Sequence, residues 1–101
     1  MKVYISGKIT GLKPVDYLKK FAIAEKKLND EGHEAINPAR INAILPKSTT
    51  YEQYMDMSML MLSMCDAIYM LNNWKDSPGA NREKEQAEKN GMMVLYQEGR
   101  R

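Results

Sequence analysis

Four short apolar runs, separated by stretches with helical periodicity, constrain the fold of this 101-residue chain more than any other feature. The runs predict four β-strands, which are Lys2–Ser6, His33–Asn37, Ala67–Leu71 and Met92–Tyr96. Apolar residues at helical spacing predict three helices, which run from Pro14 to a stop at Gly32, over Tyr51–Met64 and over Ala80–Asn90. This alternation predicts an α/β fold, in which a doubly wound, mainly parallel four-stranded sheet is flanked by helices on both faces.

The length fits one domain, so we expect residues 1–101 to form a single flavodoxin-like or Rossmann-like unit. Residues 38–50 are predicted as an irregular polar connection, residues 72–79 as a turn-rich loop, and Gln97–Arg101 as a tail. A capping box, either Thr49 with Glu52 or Thr50 with Gln53, marks the start of the second helix. Doubly wound sheets bind ligands beyond the carboxyl ends of their strands, so the loops of interest are 6–13, 37–50 and 72–82.

Composition and charge argue against several classes of protein. The net charge is only +2, with basic and acidic residues interspersed, so no nucleic-acid partner is expected. No stretch approaches the ~18–20 apolar residues of a membrane span, so no membrane partner is expected either. The single cysteine, Cys65, cannot form an internal disulfide, which favours a reducing, cytoplasmic location. One histidine and one cysteine far apart provide no soft-metal site, and we expect neither a metal nor a cofactor.

The loop after the first strand, Ser6-Gly7-Lys8-Ile9-Thr10-Gly11, joins that strand to a helix. Its glycines allow a backbone to approach an anion, and the helix N-terminus that follows offers free N–H groups. Gly-Lys-x-Thr is similar to part of a P-loop, but the upstream glycine at the required spacing is missing. A plain tight turn explains the same residues equally well.

The loop after the third strand leads from Ser77-Pro78-Gly79-Ala80 into a helix that carries Glu83. Glu83 lies about one turn into this helix, from where its side chain can point over the sheet edge. An acidic residue near a helix N-terminus is also explained by the helix dipole alone. Tyr4 is a core residue by default and becomes a site residue if its hydroxyl lies near Glu83. Because both residues lie at the same end of adjacent elements, we expect them within reach of each other. Trp74 is either an exposed lid or a stacking surface.

Taken in order, these motifs resemble the nucleoside 2-deoxyribosyltransferase superfamily. The resemblance rests on three segments, which are Val3–Gly11, Cys65-Asp66-Ala67-Ile68-Tyr69, and Ser77–Glu83 with Ala87. Most similar is a family of small uncharacterised phage and bacterial proteins within the superfamily, whose pattern also has Asn37-Pro38-Ala39 and Trp74. Among members of known activity, the loops are most similar to those of the deoxynucleoside 5′-monophosphate N-glycosidases. The resemblance covers nearly the whole chain, and its specificity lies in the order and spacing of the motifs.

The resemblance implies that Glu83 attacks the anomeric carbon of a nucleoside or nucleotide, and that Tyr4 orients it. The base leaves, a covalent sugar ester forms, and water or a second base resolves it, as in retaining glycosidases. Ser77 is implied to hold a 5′-phosphate beside the Gly7–Gly11 turn, where Lys8 adds a charge. The further implied substrate-binding residues are Gly7, Ile9, Gly11, Asn37, Ser58, Trp74 and Gly79.

Two departures from the family pattern qualify these roles. Ser58 occupies the position where the family usually has an aspartate that serves the leaving base or the sugar. Asp56 lies roughly 200° away around the helix and cannot replace it, whereas Tyr51 and Tyr54 share the face of Ser58. A hydroxyl is a poor general acid at neutral pH. The chain also ends soon after the fourth strand, where characterised enzymes continue into a segment that completes a neighbouring subunit's site.

Three functions remain open from the sequence. The first is a nucleotide-processing N-glycosidase or N-(deoxy)ribosyltransferase, favoured by Tyr4, Ser77, Gly79 and Glu83. The second is a non-catalytic protein that binds a nucleoside or nucleotide, favoured by Ser58. The third is a structural oligomer with a vestigial cleft. We expect a homo-oligomer in every case, because a domain this small is expected to bury part of its Met-rich helix 51–64 against a copy of itself.

Overall fold

The structure, a computed structural model, describes residues 1–98. Four parallel strands form one sheet in the order β2-β1-β3-β4, with β1 at Lys2–Ser6, β2 at Glu34–Ile36, β3 at Ala67–Met70 and β4 at Met93–Tyr96. The doubly wound α/β fold predicted from the sequence is confirmed. Chain order reverses between β1 and β3, so the crevice expected to bind a ligand lies beyond the carboxyl ends of these two strands. The predicted tail is described only to Glu98, and residues 99–101 lie outside the described residues.

Four helices connect the strands and cover the sheet. They are α1 at Pro14–Asp30, α2 at Pro38–Asn42, α3 at Tyr51–Ser63 and α4 at Pro78–Lys89, and a short 3₁₀ turn spans Trp74–Asp76. Of the two capping boxes considered, the structure forms the Thr50–Gln53 pair, with both reciprocal hydrogen bonds present. Helix α4 begins two residues earlier than predicted because the Ser77 hydroxyl accepts a hydrogen bond from the Ala80 N–H and caps it.

The prediction of an irregular connection over residues 38–50 is wrong in one respect, because α2 lies within it. Asn37 caps this helix by accepting the Arg40 N–H, and Pro38 occupies its first turn, where no N–H is needed. Five residues are too few for helical periodicity to be visible in the sequence. Because Asn37 turns away to form the cap, β2 also ends one residue earlier than predicted.

The sheet buries different side chains on its two faces. Val3 and Ile5 of β1 pack with α1, whereas Tyr4 packs with buried residues of α3, β3 and α4. Side chains alternate along a strand, so Tyr4 and Ser6 point to the same side as α4. Within residues 1–98, no helix is long and apolar enough to cross a membrane.

Candidate active site

A buried carboxylate lies at the carboxyl end of β1. Glu83 is 7% exposed, and both of its oxygens accept hydrogen bonds from hydroxyl groups of that strand. Tyr4 donates to Oε2 at 2.9 Å, and Ser6 donates to Oε1 at 2.6 Å. The predicted proximity of Tyr4 and Glu83 is therefore confirmed.

The local sequence explains how these groups meet. The period of two along β1 places Tyr4 and Ser6 on one face, and α4 packs over that face with its buried stripe of Ala80, Glu83 and Ala87. The small alanines let the helix approach the sheet, so the glutamate between them reaches the strand. Glu83 thus lies on helix α4, and its carboxylate accepts hydrogen bonds from strand β1. Both elements are rigid, which favours a fixed position for the carboxylate.

Burial raises the pKa of Glu83 above its ordinary value, because the site disfavours the charged form. Hydrogen bonds from Ser6 and Tyr4 oppose this shift, followed by the nearby Ser58 hydroxyl and the charge of Arg82. Burial, together with the neighbouring Glu83, raises the pKa of Tyr4 well above its ordinary value. Tyr4 therefore keeps its proton and remains a donor to the carboxylate.

Replacing Glu83 by glutamine is expected to raise the melting temperature at neutral pH. Because the folded-state pKa of Glu83 is raised, stability is lost as the pH rises from the ordinary glutamate pKa through the folded-state pKa. Glutamine removes that buried charge, so its advantage should disappear below about pH 4, where wild-type Glu83 is protonated in both states. Thermal unfolding followed by circular dichroism across this pH range measures the difference.

The matched control is Glu85→Gln, which removes an exposed carboxylate from the same helix and should leave the melting temperature nearly unchanged at every pH. A Glu83→Gln variant less stable than the wild type at neutral pH would contradict this electrostatic description of the site.

The carboxylate opens onto a cavity of about 660 Å³, a size typical of small-molecule sites. Eight of the predicted site residues line it, namely Tyr4, Gly7, Lys8, Ile9, Ser58, Ser77, Gly79 and Glu83. Glycine suits position 7, since a Cβ atom there would lie 2.9 Å from Leu71 Cβ, an atom that cannot move without its backbone. Tyr51 and Tyr54 line the cavity on the face of Ser58, as predicted, while Asp56 is exposed and is not part of the wall.

Three predicted residues lie off the wall of this cavity. Gly11 occupies an exposed turn with φ +87°, a conformation that favours glycine. Asn37 uses its side chain to cap α2 and to donate to Glu25 Oε1 at 3.1 Å. Trp74 packs against Tyr96, with ring centroids 6.2 Å apart, beside a second cavity of about 370 Å³.

Among the polar residues of the site that sequence reasoning did not assign to it are Ser6, Asn42 and Asp76. Alternation along the strand could have indicated Ser6, because it lies two residues after Tyr4 and therefore on the same face. Asn42 lies on the helix that was not predicted, and its buried Oδ1 has no hydrogen-bond partner among residues 1–98. Asp76 ends the 3₁₀ turn just before Ser77, a position that periodicity does not reveal.

The N-terminus of α4 presents donors to the cavity. The Ser77 oxygen accepts from Ala80 N–H, which leaves the hydroxyl proton free to donate. Pro78 has no N–H, and within the described part of the chain the Gly79 N–H has no partner, so it is a free first-turn donor. Lys8 contributes a positive charge and Asp76 a negative one to the same wall.

Metal-ligating groups do not cluster in the described residues, among which no three His, Cys, Asp or Glu side chains converge. Burial raises the pKa of the Cys65 thiol to about 11, so this thiol stays protonated at neutral pH. The ionisable side chains on the cavity wall include Glu83, Lys8 and Asp76.

Comparison with known proteins identifies the family. A family model described as "Domain of unknown function (DUF4406)" matches residues 1–96. The chain belongs to this family. Among solved structures it is similar to a 2-deoxyribosyltransferase from the psychrotolerant bacterium Bacillus psychrosaccharolyticus, with a TM-score of 0.74 and 19% sequence identity. The match covers 95% of this chain and 71% of that one. No curated protein sequence matches the chain significantly.

This member of the family therefore has the fold of a 2-deoxyribosyltransferase. The resemblance described from its motifs is confirmed at the level of the fold, despite the low sequence identity.

Proposed function

We propose that this protein is a nucleotide-processing N-glycosidase or N-(deoxy)ribosyltransferase that acts on a nucleoside or nucleoside 5′-monophosphate, with Glu83 as nucleophile. One observation carries the proposal: a carboxylate 7% exposed, fixed by two hydroxyl donors, opens onto a cavity of about 660 Å³. A buried, positioned carboxylate of this kind suits attack on an anomeric carbon.

The proposed reaction has two displacements. A carboxylate oxygen of Glu83 forms a bond to C1′ on the face opposite the base, the C1′–N bond breaks, and the base leaves with its electron pair. Water or a nitrogen of a second base then forms a bond to C1′ and releases the carboxylate. Tyr4 stays protonated throughout and holds Glu83 by donating to it.

The substrate is proposed to lie across the carboxyl end of β1, with its 5′-phosphate towards β3 and its base towards β2. Ser77, Gly79 and Lys8 lie on the side of β3 and offer donors and a charge to a 5′-phosphate. Asn42 lies on the side of β2, where its unpartnered Oδ1 is suited to accept an N–H group from the base. Tyr51 and Tyr54 on α3 add aromatic surface and hydroxyl groups between these ends.

Ser58 favours a second candidate, a non-catalytic protein that binds the same ligands. Its hydroxyl interacts with Glu83 and Tyr4 and lowers the pKa of each, but it does not readily supply a proton to a leaving base. We further propose that the chain is one domain and forms a cytoplasmic homo-oligomer through α3, where Leu60 and the C-cap residue Met64 are 67% and 55% exposed.

A thermal-shift panel of nucleosides and their 5′-monophosphates, followed by an assay for free base, tests the proposal. Monophosphates are expected to raise the melting temperature more than the matching nucleosides, by mass action. Lys8→Gln should weaken monophosphate binding and Asp76→Asn should strengthen it, each by roughly two- to fivefold, the effect of one solvent-accessible charge. Lys13→Gln, an exposed lysine off the cavity wall, is the control.

Neither Lys8→Gln nor Asp76→Asn should change the affinity for the uncharged nucleoside. Equal binding of monophosphates and nucleosides in the wild type would exclude a phosphate site at the N-terminus of α4. No binding of either class would count against both candidate functions.

A further inference from the structure

Both oxygens of Glu83 accept hydrogen bonds from side chains of β1, and these two bonds restrict how the carboxylate can turn. Ser6 donates to Oε1 at 2.6 Å and is 1% exposed. Tyr4 donates to Oε2 at 2.9 Å and is fully buried. Each donor therefore occupies one oxygen, and neither side chain has open solvent into which it can turn.

We propose that Ser6 is a second positioning residue of the site, which fixes Oε1 of Glu83 while Tyr4 fixes Oε2. The inference rests on the proposed function, since it concerns the same nucleophile. Ser6 acts through Glu83 and is not itself proposed to bond to the substrate.

One donor alone does not define the plane of a carboxylate. The terminal torsion of a glutamate side chain is broad and roughly two-fold, so a carboxylate held at one oxygen can still turn about its last bond. Donors on both oxygens remove that freedom. A carboxylate oxygen accepts about two hydrogen bonds, so with one donor each, both oxygens keep a lone-pair direction for bonding to C1′. The pair thus orients the nucleophile without blocking it.

Hydroxyl groups reach Glu83 from two elements, Tyr4 and Ser6 from β1 and Ser58 from α3. Arg82 on α4 is exposed and paired with Glu52, so it acts on Glu83 through its charge alone, while Lys8 and Asp76 line the cavity from its loops. Among the hydroxyl groups, Ser6 makes the shortest hydrogen bond to the carboxylate and opposes the effect of burial on the pKa of Glu83 most strongly. Removing the Ser6 hydroxyl should therefore raise that pKa further.

The test is Ser6→Ala, read by ¹³C NMR titration of glutamate carboxyl groups in the full chain. The Glu83 signal is assigned by its absence from Glu83→Gln. We expect Ser6→Ala to move the Glu83 titration to higher pH, by more than Tyr4→Phe does. Ser63→Ala, which removes an exposed hydroxyl that donates only to the Leu60 carbonyl, is the control and should leave the titration in place.

In the base-release assay, Ser6→Ala should lower kcat about tenfold with KM changed less than twofold, and should move the acidic limb of the pH profile upward. A tenfold loss corresponds to ~1.4 kcal/mol. An unchanged Glu83 titration in Ser6→Ala would overturn the inference. The titration needs no turnover, so a wild type without activity would refute the proposed function while the positioning of Glu83 by Ser6 could still be confirmed.

Discussion

The Glu83→Gln variant is expected to lose base release from any substrate found, by a factor on the order of 10⁴, while its ligand affinity stays within about tenfold. Glutamine keeps the size and polarity of the side chain, and the hydroxyl groups of Ser6 and Tyr4 can still bond to its amide. It cannot form the sugar ester, because an amide is a very weak nucleophile. Steady-state kinetics and isothermal titration calorimetry measure the two quantities separately.

Two further variants show whether the loss of activity in Glu83→Gln is specific to the carboxylate of Glu83. Glu83→Ala should lose activity in the same way, and Glu85→Gln, exposed on the same helix, should retain full activity. Because Glu83→Gln is also expected to be more stable than the wild type at neutral pH, its inactivity could not be attributed to unfolding. Full activity of Glu83→Gln would remove this carboxylate from the mechanism.

The Ser58→Asp variant is expected to gain turnover, by about 10²-fold or more, the usual contribution of a general acid. Ser58 is buried but lies on the cavity wall, so a larger side chain there can extend into the cavity. A second carboxyl group beside Glu83 cannot ionise easily, because like charges raise the pKa of one of the pair. A carboxyl group that retains its proton near neutral pH can protonate the leaving base.

Ser58→Asn is the matched control, since it has nearly the same shape as aspartate but no proton to give. The difference in free-base release between Ser58→Asp and Ser58→Asn measures the contribution of the acidic proton. If Ser58→Asp is no more active than Ser58→Asn, the missing carboxyl group is not what limits the wild type. A wild type that binds nucleotides without turning them over, and that gains turnover in Ser58→Asp, would establish the non-catalytic alternative for the natural chain.

The fold could be predicted from the sequence because its signals are local and repeated. The strands are short, largely apolar segments, three of the four beside a glycine or proline, and each long helix shows its buried face at regular spacing, as with Phe21, Ala24 and Leu28. Helix α2 gave no such signal, since five residues complete little more than one turn. Two signals of a different kind mark this helix, Asn37 as a cap and Pro38 in the first turn. In the sequence, the same two residues also fit the end of a strand.

The candidate site could be predicted only in part, because spacing along the chain reveals faces but not distances. Alternation on β1 and the position of Glu83 on its helix were enough to bring Tyr4 and Glu83 together. Ser6 required the further step that its hydroxyl reaches the same carboxylate, which depends on how closely α4 approaches the sheet. Trp74 and Asn37 belong to motifs near the site, yet local contacts turn their side chains to other partners.

The central claim is that Glu83 becomes covalently attached to the sugar, and peptide mass spectrometry of the wild type during slow turnover tests it most directly. The reaction is quenched in acid, digested, and searched for a peptide carrying the mass of the sugar or sugar phosphate. We expect such an adduct on Glu83, present only with substrate and absent from Glu83→Gln. Release of base by the wild type with no adduct at any quench time, or with an adduct on a different residue, would contradict it.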